Sequence, residues 1–157
     1  MLFRSRAQLA RCQAELRAGT PLPEPFRAAL HEALGETAGD RSQAIEHYRD
    51  ALALDPSRAR AANNLAWLLA TAPDLAPGDA AEAVRLAESA ARRTAYREPA
   101  MLDTLAAAYA AQGRRAAAID YAARALDLAQ ARPHERRTEA IRKRLALYRA
   151  GQRYVER

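Results

Sequence analysis

The stretch QAIEHYRDALAL at 43–54 decides the fold, because it returns as AAIDYAARALDL at 117–128. A looser copy, EAVRLAESAARR, lies between them at 82–93. A second segment alternates with the first: NNLAWLLA at 63–70 matches DTLAAAYA at 103–110. Two alternating segment types make the repeat a helix–turn–helix, stacked along the chain. Ala44, Ala83 and Ala118 are equivalent, at separations of 39 and 35 residues. The longer spacing comes from extra residues between Pro73 and Asp79 and one more before Pro99. Both fall in loops, where insertions are tolerated.

The residue sizes explain the stacking. Ala66 and Ala106 let each first helix sit close to the second helix of its pair, and Ala51, Ala90 and Ala125 admit the next pair. Leu65, Leu69, Leu105, Tyr109, Tyr48 and Ile119 fill the space between. Asp55-Pro56 ends one helix, since proline restricts the residue before it. Gln112-Gly113 and Gly39-Asp40 are expected to turn the chain within pairs. Eight helices are expected near 5–18, 24–37, 41–54, 57–71, 79–94, 98–112, 114–130 and 134–149. In the second, Glu32 stands at the small-residue position and Gly35 at the aromatic one, which predicts distortion. The last reads as a cap: Ile141, Leu145 and Tyr148 form one apolar stripe, covered elsewhere by Arg136, Arg137, Arg142, Lys143 and Arg144.

Composition agrees. Half of the residues are hydrophobic but only 6% are aromatic, and alanine makes up much of the difference, which favours helices over sheet. Cys12 is the only cysteine, excluding an internal disulfide or a cysteine-built zinc site. No run of about 18 apolar residues spans a membrane. The net charge of +6 resides in the last 26 residues, with nine basic and three acidic groups. Arginine replaces lysine almost everywhere, as a GC-rich bacterial genome would dictate; Arg4, Arg6 and Arg11 precede no apolar run and so make no secretory signal, and the bacterial cytoplasm is the default expectation. The expected organisation is an N-terminal helix and linker (1–22), about three helix pairs (23–132) and a basic cap and tail (133–157). The beginning leaves open that the chain is a piece of a longer protein.

The repeats resemble the tetratricopeptide-repeat family. Its first-helix pattern W-x2-L-G-x2-Y recurs as Ala62-x2-Leu65-Ala66-x2-Leu69 and Leu102-x2-Leu105-Ala106-x2-Tyr109. The second-helix A-x3-F pattern recurs as Ala44-x3-Tyr48, Ala83-x3-Ala87 and Ala118-x3-Ala122. The resemblance implies an all-α, right-handed superhelical solenoid of antiparallel helix pairs with a C-terminal capping helix. It also implies a protein or peptide ligand held in the groove lined by first helices. Carried over, that groove is Arg60, Asn63, Asn64, Trp67 and Thr71, then Asp103, Thr104 and Ala107, then Arg137 and Arg144. Asparagine is a poor helix former, so Asn63-Asn64 in mid-helix suggests hydrogen bonding, to a ligand or to a neighbouring helix. Trp67 reads either as a groove anchor or as core. The family's basic clamp for a terminal carboxylate keeps only Asn64, its other places holding Ala29, Ala33, Ala100 and Thr104.

Enzyme motifs are missing. His31, His47 and His134 are isolated from one another in this plan, and His31-Glu32 lacks the second histidine of a metalloprotease helix. The expectation is therefore a protein-interaction module with no catalysis, no cofactor and no metal. Two alternatives stay open. One is the C-terminal repeat tail of a bacterial membrane glycosyltransferase or sulfatase, which NNLAWLLATAPD, LDTLAAAYAAQGR and LALYRAGQRY resemble. The other is weak binding of nucleic acid or an anionic surface by the basic last helix, which a solvated cap explains more simply. Association with a second copy is a further open outcome. If Ala106 faces a partner helix, Ala106→Leu overpacks the contact and destabilises by roughly 1–3 kcal/mol in a urea melt; a variant as stable as wild type refutes the assigned face.

Overall fold

A computed structural model of the chain describes residues 5–19, 21–132 and 137–156. Its elements are α1 (Arg6–Arg17), α2 (Glu24–Thr37), α3 (Arg41–Leu54), α4 (Ala59–Ala70), α5 (Asp79–Arg93), α6 (Pro99–Ala111), α7 (Arg115–Gln130) and α8 (Thr138–Arg149). Among the described residues there is no strand, and no helix is long and apolar enough to cross a membrane. Helices pack on their neighbours in chain order, as in a helical repeat: α1 on α2, α2 on α3, α5 on α6, α6 on α7, and α7 on α8. Observed ends fall within a residue or two of the expected ones, except that the expected start of the last helix, residues 134–136, lies outside the described residues. The chain divides into two compact units, Met1–Ala61 and Ala62–Arg157.

In the first unit, Leu9 and Cys12 of α1 meet Leu30 and Leu34 of α2, with Leu16, Leu22 and Phe26 packed around them. Cys12 is buried and unoxidised, behaving as a small hydrophobe. Helix α2 is regular over its whole length, contrary to the distortion expected there. The physical reason is an exchange of sizes. Gly35 leaves room for the ring of Tyr48 on α3, and a Cβ on Gly35 would lie 2.7 Å from that ring. Glu32, at the small-residue position, is buried but paired with Arg58, whose Nε donates to it at 2.6 Å. Asp40, rather than Gly39, starts α3: its carboxylate accepts from the Gln43 backbone N–H at 2.8 Å.

In the second unit the helices meet through alanine. Ala83, Ala87 and Ala90 of α5, Ala106 and Ala108 of α6, and Ala118, Ala122, Ala125 and Ala129 of α7 are all fully buried. Such small contacts let helix axes approach closely, while Leu102, Leu105 and Tyr109 fill the gaps. Gly113, at φ 79, supplies the left-handed turn between α6 and α7. The extra residue before Pro99 is absorbed differently. Ala95 and Tyr96 both take positive φ, 50° and 56°, and the Tyr96 N–H bonds back to the Ala91 carbonyl at 2.8 Å. The Tyr96 ring is held in compensation by stacking near Tyr121, which in turn stacks on Tyr109. Ile141, Leu145 and Tyr148 of α8 are buried as one stripe.

Tyr48 is itself buried and cannot swing aside, so Gly35→Ala should cost about 1–3 kcal/mol by urea denaturation. The same change in a Tyr48→Leu background should cost clearly less, and equal costs in both backgrounds would mean the contact is not close.

Candidate functional site

Three helices of the second unit converge on one cleft. Asn63, Asn64 and Trp67 come from α4; Ala100, Asp103 and Thr104 from α6; Arg137, Ala140 and Arg144 from the start and first turns of α8. The cleft encloses about 330 Å³. These are alternate helices along the chain, and one face of each is presented because positions three and four apart align on a helix.

At its floor lies a buried ion pair. The Arg144 Nε donates to one carboxylate oxygen of Asp103 at 2.9 Å, and its Nη2 donates to the other. Asp103 is 4% exposed and Arg144 9%. Burial pushes the Asp103 carboxyl above its ordinary value, and the hydrogen bonds and charge of Arg144 pull against that shift. Arg144 also lies against two aromatic faces, with its guanidinium 5.1 Å from the Trp67 ring centre and 5.4 Å from that of Tyr154. Asp103, one of the expected groove residues, is committed to Arg144, and the two charges cancel inside the protein.

The chain's own segment after α8 lies against the same residues. Gly151, at φ 77, turns the chain, and Arg115 closes the end of α8 by donating to the carbonyls of Tyr148 and Arg149. The Glu156 N–H then bonds the Thr71 carbonyl at 3.0 Å, and Arg153 donates to the carbonyls of Ala72 and Pro73 at 2.8 and 2.9 Å. Trp67 Nε1 donates to the Glu156 carboxylate at 3.2 Å, and its ring packs on Tyr154, 5.6 Å between centres. Trp67 is therefore half-buried beneath this segment and walls the cleft as well, so neither of the two expected roles describes it alone.

The remaining expected groove residues separate. Asn63 and Asn64 both line the cleft; Asn63 donates to Asn64 at 3.4 Å, and its own side-chain oxygen is buried with no hydrogen-bond partner. Thr104 lines it too, but its hydroxyl is used on the Ala100 carbonyl at 3.0 Å. Thr71 is fully buried, its hydroxyl bonding the Trp67 carbonyl, and only its backbone oxygen meets another segment. Ala107 is buried and does not line the cleft. Arg60 belongs to the first unit, where it pairs with Glu36 at 3.3 Å and with Glu32 at 3.8 Å. Arg137 stands exposed at the rim.

Sequence reasoning missed Arg153, Tyr154 and Glu156, which carry no periodic signal because they follow the last helix. It also placed the histidines apart. His31 on α2 and His47 on α3 are brought together, Nδ1 to Nδ1, at 3.3 Å, because helical separation in sequence says nothing about adjacency across a packed pair. His134 lies outside the described residues.

Fold and cleft together define an all-helical protein of consecutively packed helices with a polar cleft walled by three of them. No family model matches the chain. The probable biofilm formation methyltransferase WspC of Pseudomonas putida is 51% identical over 59 residues, which is 38% of this chain and 13% of that protein. The chain thus spans a small part of the length of the curated relative it matches.

Removing one member of the buried pair strands the other. Asp103→Asn or Arg144→Met should each destabilise by about 3–5 kcal/mol, and the double variant Asp103→Asn/Arg144→Met by less than the sum. A double-mutant cycle by chemical denaturation checks this; strict additivity would mean the pair is not coupled.

Proposed function

We propose that the helix pairs are tetratricopeptide repeats and that the chain is a protein-interaction module, taking an extended peptide segment in the cleft between α4, α6 and α8. The observation that carries this reading is the cleft itself, walled by Asn63, Asn64 and Trp67. Side-chain amides carry both donors and an acceptor, which the backbone of an incoming chain can pair with. The bonding of residues 153–156 to the chain at the end of α4 supports the same reading: it is peptide held by a main-chain hydrogen bond, by the Arg153 guanidinium on backbone carbonyls and by an aromatic face. With Asp103 and Arg144 neutralised, the cleft favours a ligand of mixed polarity, bound by amide hydrogen bonds and by the Trp67 surface, over a strongly acidic one.

The relative supports a second, compatible reading in which this region serves within a larger protein. The shared 59 residues suit about two helix pairs and occur there in a probable methyltransferase. That name favours a methyltransferase context over the glycosyltransferase or sulfatase one. A nucleic-acid role draws less support, since Arg144 is buried on Asp103 and Arg142 is paired with Glu139 at 2.5 Å.

The test is a selection of random peptides on the immobilised full chain, with affinities read from the emission of Trp67, the single tryptophan. Selected peptides should bind wild type and lose about tenfold or more with Asn63→Ala, because a buried hydrogen bond is worth roughly 1–3 kcal/mol. Ala100→Arg, which fills the cleft, should abolish binding, while Arg92→Ala on α5 should change nothing. Peptides indifferent to Ala100→Arg would remove the cleft as the site.

A further inference from the structure

The first unit holds a cluster that the interaction role does not use. His31 lies on α2; His47 and Asp50 lie on α3, three residues apart and so on one face of that helix. The close approach of the two helices at Gly35 and Tyr48, each next to or one turn from these histidines, is what brings the rings together. His31 Nδ1 lies 3.3 Å from His47 Nδ1 and 3.3 Å from the Asp50 carboxylate, and all three ligand atoms fall within 4.8 Å of one another.

We propose that His31, His47 and Asp50 form a binding site for one divalent transition-metal ion of the zinc type, with water completing the coordination.

The distances carry the argument. A tetrahedral zinc ion with bonds of about 2.0–2.1 Å sets neighbouring ligand atoms roughly 3.3–3.4 Å apart. Two of the three separations here already have that length. An octahedral magnesium ion would need separations of about 2.9 Å and prefers oxygen throughout. Two imidazole nitrogens and one carboxylate are instead the donor set that zinc, cobalt and nickel share. Asp50, with its side chain 58% exposed, is free to rotate and shorten the third separation, and it leaves the fourth position open to water.

Proton accounting points the same way. A neutral imidazole has at most one hydrogen on Nδ1, so His31 can donate to His47 or to Asp50 but not to both. With its hydrogen on Nε2 instead, the His31 Nδ1 lone pair faces the lone pairs of the Asp50 carboxylate directly. A cation at the centre satisfies all three atoms together. Burial lowers the pKa of His31, with His47 and Arg27 adding to the effect and Asp50 opposing it. That direction favours the unprotonated ring, the form that binds metals. Arg27 opposes a metal cation as it opposes a proton, which sets the expected affinity below that of a four-ligand structural site. The ion would bridge α2 and α3, and bind more weakly in acid, where protons compete for the same nitrogens.

The experiment titrates the purified full chain with Co²⁺ alone and then displaces it with Zn²⁺. The expected result is the intense visible absorption of tetrahedral cobalt, saturating at one ion per chain, without a thiolate charge-transfer band. Zn²⁺ should bleach that absorption and raise the melting temperature, and Mg²⁺ should do neither. His47→Gln and Asp50→Asn should each weaken binding about tenfold or more, while His134→Gln leaves it unchanged. Asp50 is exposed, so its variant keeps the test valid should His47→Gln disturb the helix pair. Only the pale spectrum of hydrated cobalt, or binding that survives both His47→Gln and Asp50→Asn, overturns the proposal.

Discussion

The second unit depends on the burial of Arg144 against Asp103. Taking two charges out of water costs several kcal/mol each, and only near-ideal geometry returns it. The bidentate bond supplies that geometry, and the aromatic faces of Trp67 and Tyr154 enclose the guanidinium. One side chain of α8 thereby fixes three things at once: its partner on α6, a ring on α4, and the segment that follows α8. The apolar stripe of Ile141, Leu145 and Tyr148 gives α8 its adhesion, but a stripe of that kind tolerates sliding. The ion pair does not, because a shift of a few ångströms leaves both charges buried and alone.

Around that point, packing is set by small residues. Alanine after alanine at zero exposure brings helices together with little side-chain entropy to lose. The cost is low tolerance: little slack remains for an added methylene. The same constraint operates in the first unit at Gly35 and Tyr48, where the large and small partners of a helix contact have changed sides. Where the chain has an extra residue to place, the strain is local. Ala95 and Tyr96 take left-handed conformations that cost of order 1–3 kcal/mol each, held by the surrounding hydrogen bonds and ring stacking.

These constraints shape the functional reading. The cleft is polar, yet Asp103 and Arg144 satisfy each other, so the recognition proposed there rests on amides and an aromatic surface. Part of the surface beside it already carries residues 153–156 of the same chain.

The sequence by itself determined the helices, their order and most of their buried faces. Alternating segments and the placement of alanine are local and periodic signals, and Ala106, Ala118 and Leu105 are buried as their periodicity requires. It also marked Asn63, Asn64, Trp67, Asp103, Thr104 and Arg137, which the fold collects around one cleft. Only the tertiary structure decided what those residues do. Whether Asp103 is a free anion or half of a buried pair depends on a residue 41 positions away. Whether His31 meets His47 depends on which faces α2 and α3 turn to each other. Trp67 is sheltered by a segment that lacks any periodicity to read. Helical period is written residue by residue along the chain, whereas the partner of a polar side chain is fixed by how helices come to rest against one another.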